Sequence, residues 1–141
     1  MLKFTLISIL LILVSMSFTS EKTIIKTPEN PLASCPDTPN CERTLRAFIL
    51  DSATVLNAAD ETLRTMKAES IEWNDETKQI HAVFRIPVFG WRDDVLIAVH
   101  QDGETTTLFI RSASREGHWD IWANKIRINK FFKILNKKIS S

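Results

Sequence analysis

The spacing of apolar residues predicts a helix near the middle of the chain and a second helix at its end. Between residues 52 and 67, apolar side chains recur at steps of three and four, which is typical of an amphipathic helix. Asp51 or Ser52 is placed to cap this helix. A similar pattern starts at Asp120, where apolar residues lie above a basic face. Both helices are therefore expected to bury one face and expose the other.

Four short segments between these helices alternate apolar with polar residues, which predicts four strands. Residues 74–77 close the first hairpin, Pro87 and Gly90 interrupt the middle, and Asp102-Gly103 is a strong two-residue turn signal. Residues 45–50 could add a further strand. The order predicts an α+β domain of two layers, a four-stranded antiparallel meander with a helix before it and a helix after it.

The Asp102-Gly103 turn also predicts a register for the last hairpin. If these two residues occupy the centre of the turn, Asp94 lies opposite Arg111 on the face away from the helices. The apolar residues Val95 and Ile97 then lie on the face that the helices cover. A slip of one residue would mix the two sets of side chains, so their clean separation favours this register.

The first 20 residues have the pattern of a secretory signal, with Lys3 ahead of an apolar run over residues 4–18 and small residues behind it. As a helix this run would be about 22 Å long, shorter than the hydrocarbon core of about 30 Å, which favours cleavage over retention as an anchor. We therefore expect a signal peptide at residues 1–20, an exposed lead-in at 21–42 and one domain at 43–141. The product would be periplasmic or extracellular, or else held by an uncleaved anchor.

Composition supports one globular domain, since the 141 residues are 44% hydrophobic and 25% charged. The formal charge of +1 falls to zero once Lys3 is removed, which argues against a nucleic-acid partner. The chain after Asp120 nevertheless carries six cations and no acidic residue. A solvated helix face is the favoured interpretation. An anion or lipid-headgroup patch is the alternative, so membrane contact stays open without being required.

Cys35 and Cys41 are the only cysteines, and a pair behind an export signal predicts a disulfide. Free thiols and a metal site are alternatives, although two thiolates with no further ligand nearby make a poor zinc site. Residues 32–35 also resemble a lipoprotein cleavage box, but charged residues separate that box from the apolar run.

The pairing of Asp94 with Arg111 suggests two interpretations of the charged residues around it. A cross-strand ion pair that fixes the register is favoured. The alternative is an anion site in which Arg85, Arg111 and Arg115 converge on a carboxylate or phosphate. The candidate ion-pair or anion site comprises Arg85, Asp94, Arg111, Arg115, Asp120 and Arg127.

No constellation in the chain predicts catalysis or a cofactor. The three histidines, His81, His100 and His118, lack helical ligand spacing, and no recognisable nucleophile motif accompanies them. We therefore predict no catalytic residue, no metal ligand and no cofactor, which leans against an enzyme.

Two segments of the chain resemble the signatures of the family named domain of unknown function 1499. The first is residues 35–41, and the second is residues 111–127, in which Gly117 is expected to adopt a positive φ and Asp120 to cap the last helix. The matching residues of the second signature are Arg111, Ser112, Ser114, Arg115, Gly117, Asp120, Asn124 and Arg127. The resemblance covers residues 35–138 and implies no activity, substrate or cofactor.

The sequence as a whole predicts an exported, non-enzymatic binding or envelope-associated module. A binder of a small anionic or lipid-like ligand on an arginine-rich sheet face is the first alternative, and an enzyme of unrecognised type is the second. The partner is a protein or a small anionic ligand, and the sequence does not choose between them.

Overall fold

A computed structural model of the chain describes residues 26–117 and 122–141. The expected signal peptide and Asp120 lie outside these residues. The elements are β1 Cys41–Phe48, α1 Ser52–Thr65, β2 Ser70–Asn74, β3 Gln79–Arg85, β4 Arg92–Asp102, β5 Thr105–Ser114 and α2 Ala123–Ile139. All strands form one antiparallel sheet in the order β1-β5-β4-β3-β2.

The α+β class is confirmed, but the sheet has five strands where the sequence predicted four. Strand β1 adds to the meander by pairing with β5. The apolar and polar residues of β1 do not follow the pattern expected of a strand that covers a core. Polar Thr44 and charged Arg46 lie on the face toward the helices, and apolar Leu45 lies on the other face. Arg46 can occupy that face because its guanidinium lies over the Phe132 ring, 4.0 Å from the centroid. The strand therefore lacks the apolar alternation by which the other four were recognised.

The main core lies between the sheet and the two helices. Helix α1 begins as predicted at Asp51, whose carboxylate accepts a hydrogen bond of 2.8 Å from the Thr54 amide. Helix α2 packs beside α1 and against β5 and β1. The buried core side chains are Val55, Leu56, Ala59, Leu63, Ile80, Ala82, Phe84, Val95, Ile97, Leu108, Ile110, Ile128, Phe131, Phe132 and Leu135.

The predicted register of the last hairpin is wrong by two residues. Gly103 and Glu104 form the centre of the turn, so Asp94 lies opposite Ala113 and Arg111 lies opposite Leu96. Gly103 has φ of 57° at the first central position, where the type II′ turn prefers glycine. Because the shift is an even number of residues, every side chain keeps its predicted face, and only its partner on the opposite strand changes.

The sheet face away from the helices, here called the outer face, carries a second, smaller core. The segment before β1 crosses this face and inserts Leu32, which is buried against Ala98 and Phe109, with Leu96 at the edge. A disulfide joins Cys35 to Cys41, with the two Cα atoms 5.6 Å apart, and connects this segment to the start of β1. The lead-in is thus attached to the sheet at Leu32 and at the disulfide.

Helix α2 begins later than the sequence predicted. Its first residue is Ala123, and the N-cap position is occupied by Trp122 in a left-handed conformation with φ of 60°. Gly117 has the expected positive φ, at 79°. Among the described residues, no helix is long and apolar enough to cross a membrane.

Candidate functional site

A buried ion pair connects α2 to the helix-facing side of the sheet. Arg127 donates from Nη2 to Asp93 Oδ2 at 2.5 Å, and the two side chains are 11% and 2% exposed. Arg127 Nη1 also donates to Ser112 Oγ at 2.9 Å, and the guanidinium lies 5.2 Å from the centre of the Phe84 ring. Both Nη atoms of Arg127 have hydrogen-bond acceptors within the fold, which favours a structural role for this group.

Asn124 extends this network to the cysteine loop. Its Nδ2 donates to the Asn40 carbonyl at 2.9 Å and to Ser114 Oγ at 3.2 Å, while its Oδ1 accepts from Ser112. Asn40 in turn donates from Nδ2 to the Gly117 carbonyl at 2.6 Å. The two segments that carry the family resemblance are therefore in contact here. The hydrogen bonds between them connect the cysteine loop with β5 and α2.

Asp94 is the centre of a second cluster, on the outer face. Arg115 donates to both of its carboxylate oxygens, at 2.8 and 2.7 Å, and His81 Nε2 lies 2.7 Å from Oδ1. The Arg115 hydrogen bonds hold the pKa of Asp94 below its usual value; burial opposes this shift and the His81 contact reinforces it. Asp94 is therefore an ionised acceptor, which does not suit a general acid.

The lowered pKa of Asp94 predicts a pH-dependent stability. Since the folded pKa lies below the reference value of 3.8, the ionised carboxylate stabilises the fold fully above that value and loses its effect as pH falls through the folded pKa. The stability advantage of the wild type over Asp94→Asn should shrink below about pH 4. Thermal melts across pH test this, with exposed Asp75→Asn as the control. An advantage that stays constant with pH would contradict it.

Two arginines lie side by side on the outer face. Arg43 on β1 is directly opposite Arg111 on β5, and Leu96 is opposite Arg111 on the other side. The Nε atoms of both arginines are buried and have no hydrogen-bond partner. Within residues 26–117 and 122–141, no carboxylate forms an ion pair with either guanidinium. Like charges placed directly opposite destabilise a sheet, so this pair has a cost that the fold alone does not explain.

The lead-in orients one member of this arginine pair. Arg43 donates from Nη1 to Ser34 Oγ at 3.3 Å and from Nη2 to the Asn30 carbonyl at 3.2 Å. Both acceptors are uncharged, so the positive charge of Arg43 is retained. The segment closed by the disulfide therefore positions Arg43 without neutralising it.

A cleft of about 300 Å³ opens at the β2–β3 edge of the outer face, and Leu96 is the lining residue that lies next to Arg111. Its lining includes His81 and Leu96, which belong to the same cross-strand row as Arg111, and Glu72, which faces His81 from β2. A second cleft of about 720 Å³ lies between the lead-in and the sheet near the β4–β5 turn, next to Lys26, His100 and Thr107. Neither arginine of the pair lines the first cleft, which adjoins Arg111 at Leu96.

The structure separates the candidate residues that the sequence grouped together. Arg127 lies on the helix-facing side with Asp93, and Arg115 binds Asp94. Arg85 is exposed at the end of β3. Arg111 remains on the outer face, where its neighbour is Arg43, a residue that the sequence did not select. Only the pairing of β1 with β5 brings these two together. The sequence suggested a further strand at residues 45–50, but neither its start at Cys41 nor its partner was predicted.

No group of three or more potential metal ligands is present in the described part of the chain. The arginine pair can instead offer directed N–H donors and positive charge. That chemistry suits carboxylate or phosphate oxygens.

Comparison with known proteins identifies a family. The sequence profile described as Protein of unknown function (DUF1499) matches residues 31–135. No curated protein sequence is significantly similar to the chain. Among solved structures, a conserved protein of Geobacillus kaustophilus is 14% identical with a TM-score of 0.38, over 71% of this chain and 95% of that one. A protein of Thermus thermophilus is 13% identical with a TM-score of 0.40, over 70% and 96%. Likeness at this level carries no argument about function.

Proposed function

The chain belongs to the family described as protein of unknown function (DUF1499), and we propose that it is an exported, non-enzymatic binding module for a small anionic ligand. The ligand would bind on the outer face at Arg43 and Arg111. The observation that carries this proposal is the pair itself, two arginines directly opposite each other on β1 and β5 whose buried Nε atoms have no acceptor among the described residues.

An anion between the two arginines would relieve the features that make the pair unfavourable. A carboxylate or phosphate would neutralise the like charges and accept hydrogen bonds from the guanidinium groups. Partial burial strengthens this attraction, because charges screened less by water interact more strongly. The neighbouring apolar surface of Leu96 would suit a ligand that carries a carbon skeleton beside its anionic group.

A binding role is also supported by the contacts of Asp94, an acidic residue on the same outer face. Asp94 is held by Arg115 and His81, so it neither neutralises Arg111 nor offers a free base beside the cleft. Within the described residues no ion pair neutralises Arg43 or Arg111, an arrangement suited to holding an anion.

Replacing Arg111 with methionine tests the proposal through stability and binding together. The variant should be as stable as the wild type or more stable by about 0.2–1 kcal/mol, because a like-charge contact is removed. Inorganic phosphate or octanoate should raise the melting temperature of refolded wild type and leave Arg111→Met unchanged. Arg64→Met, which removes an exposed arginine on α1, is the matched control and should respond as the wild type does. Destabilisation of Arg111→Met with an unchanged ligand response would contradict the proposal.

The exported location is part of the same proposal. It is supported by the apolar run over residues 4–18 and by the Cys35–Cys41 disulfide, which belongs to an oxidising compartment. We expect the mature chain to begin near residues 18–21. Intact mass of protein recovered from its native compartment measures this. Full-length chain found only in the membrane fraction would show a retained anchor instead.

A further inference from the structure

One end of the sheet exposes a group of large apolar side chains, here called the apex patch. The loop between β3 and β4 contributes Val88, Phe89 and Trp91, which are 96%, 64% and 43% exposed. The start of α2 contributes Trp122 and Ile126, which are 66% and 62% exposed. Hydrogen bonds from Asn124 to Ser114 place the start of α2 at the end of β5, which is the same end of the sheet as the β3–β4 loop. The patch is therefore drawn from two separate parts of the chain.

The β3–β4 loop holds its apolar side chains outward in a defined conformation. The Ile86 amide donates to the Trp91 carbonyl at 2.7 Å, and the Gly90 amide donates to the Ile86 carbonyl at 3.0 Å. The rings of Phe89 and Trp91 stack with centroids 4.7 Å apart. Val88 has φ of 70°, a left-handed conformation that is unfavourable for a β-branched residue. Backbone strain of this kind is typical of functional sites, and here it holds the Val88 side chain in solvent.

Cations accompany the apex patch, and the nearest carboxylate to affect Arg85 is that of Glu69, which is paired with Arg92. Arg85 is exposed next to the loop, and Lys125 is exposed between Trp122 and Ile126. Neither is in an ion pair within the described residues. Helix α2 contains no acidic residue, and its exposed lysines include Lys130 and Lys133. The natural complement of this surface is therefore both apolar and negatively charged.

We propose that the apex patch docks on an anionic lipid surface, with the loop tip inserted among the headgroups. Tryptophan and other aromatic residues favour the boundary between headgroups and acyl chains, where an apolar body and a polar edge are both accommodated. Arg85 and Lys125 would contact lipid phosphates, and the lysines of α2 would add longer-range attraction. A projecting aliphatic tip fits a deformable bilayer better than it fits a preformed pocket on a protein, which makes lipid the favoured occupant.

Tryptophan fluorescence tests this proposal in the full chain. Vesicles of phosphatidylglycerol and brominated phosphatidylcholine should quench the protein, whereas vesicles of brominated phosphatidylcholine alone should quench it weakly. Replacing both Trp91 and Trp122 with phenylalanine should remove most of the quenching. Trp73→Phe is the matched control, because Trp73 is 41% exposed but lies near the opposite end of β3. The quenching comparison remains informative even if residues 1–20 anchor the chain, because it reports which tryptophans reach the lipid.

Charge reversal provides a second arm of the test. Lys125→Glu should weaken binding to anionic vesicles about 25-fold at low salt, because one positive charge is lost and one negative charge is gained near the membrane. Lys78→Glu, at the opposite turn, should have little effect. Equal quenching after loss of Trp73 or of Trp91 and Trp122 would overturn the proposal. Failure of the chain to bind anionic vesicles would overturn it too, and would leave the patch to a protein partner.

Discussion

Replacing Arg127 with methionine should lower the free energy of unfolding by about 3–5 kcal/mol. The substitution leaves the Asp93 carboxyl group, which is 2% exposed, without its guanidinium partner. It also removes a hydrogen bond to Ser112 and the contact with the Phe84 ring. Leaving one charge of a buried pair without its partner is among the most destabilising changes that a single substitution can make. Urea denaturation monitored by circular dichroism measures the loss.

A double-mutant cycle separates the cost of an isolated charge from the worth of the pair. Asp93→Leu combined with Arg127→Met should recover much of the loss, because no charge is then left in the core. Arg64→Met breaks an exposed ion pair on α1 and should cost about 0–1 kcal/mol. Losses for Arg127→Met and Arg64→Met of the same size would show that the Arg127 pair is not buried in solution.

Phe109→Ala should also cost about 3–5 kcal/mol. Phe109 is fully buried at 0% exposure, although it lies on the outer face, because Leu32 of the lead-in covers it. Removing the ring opens a cavity beneath the lead-in and removes the surface on which Leu32 packs. Residues 26–34 should then become sensitive to protease while the main core remains folded at moderate temperature.

Phe89→Ala is the matched control for this prediction, since Phe89 is 64% exposed. It should change the free energy of unfolding by less than about 0.5 kcal/mol and leave the lead-in protected. A small loss for Phe109→Ala, or a lead-in that is cleaved equally in the wild type, would contradict the outer-face core.

The elements with strong apolar periodicity were predictable from sequence, and their faces were too. Helix α1 and its Asp51 cap follow from residues that are close in the chain. The hairpin register was harder, because Asp102-Gly103 and Gly103-Glu104 both place a glycine in the turn and both preserve the faces of the strands. A register shift of one residue would place apolar side chains on the wrong face, so the sequence pattern excludes it. A shift of two residues preserves the faces, so the sequence pattern does not exclude it.

The candidate site depends on contacts that no local pattern reports. Arg43 and Arg111 are far apart in the chain and meet only because β1 closes the sheet against β5. Asp93 and Asp94 are adjacent in sequence yet serve opposite faces, as the alternation of a strand requires. The sequence therefore identified most of the charged residues of the two ion-pair clusters. It assigned them to one network, whereas the fold places Arg127 and Arg115 on opposite faces of the sheet.

The residues that carry the family resemblance fall into two groups with different roles. Ser112, Asn124 and Arg127 hold α2 to the sheet, so their substitution should affect stability first. Arg111 contributes no described polar contact to the fold, and we infer that its role is in binding.

Native mass spectrometry of the protein recovered from its native compartment tests the anion site most directly. The wild type should retain a small negatively charged ligand that is lost on mild activation. The double variant Arg43→Met/Arg111→Met should be folded and should carry no such ligand, while Arg64→Met should retain it. The same ligand bound to the double variant and the wild type at equal occupancy would contradict an anion site at the arginine pair.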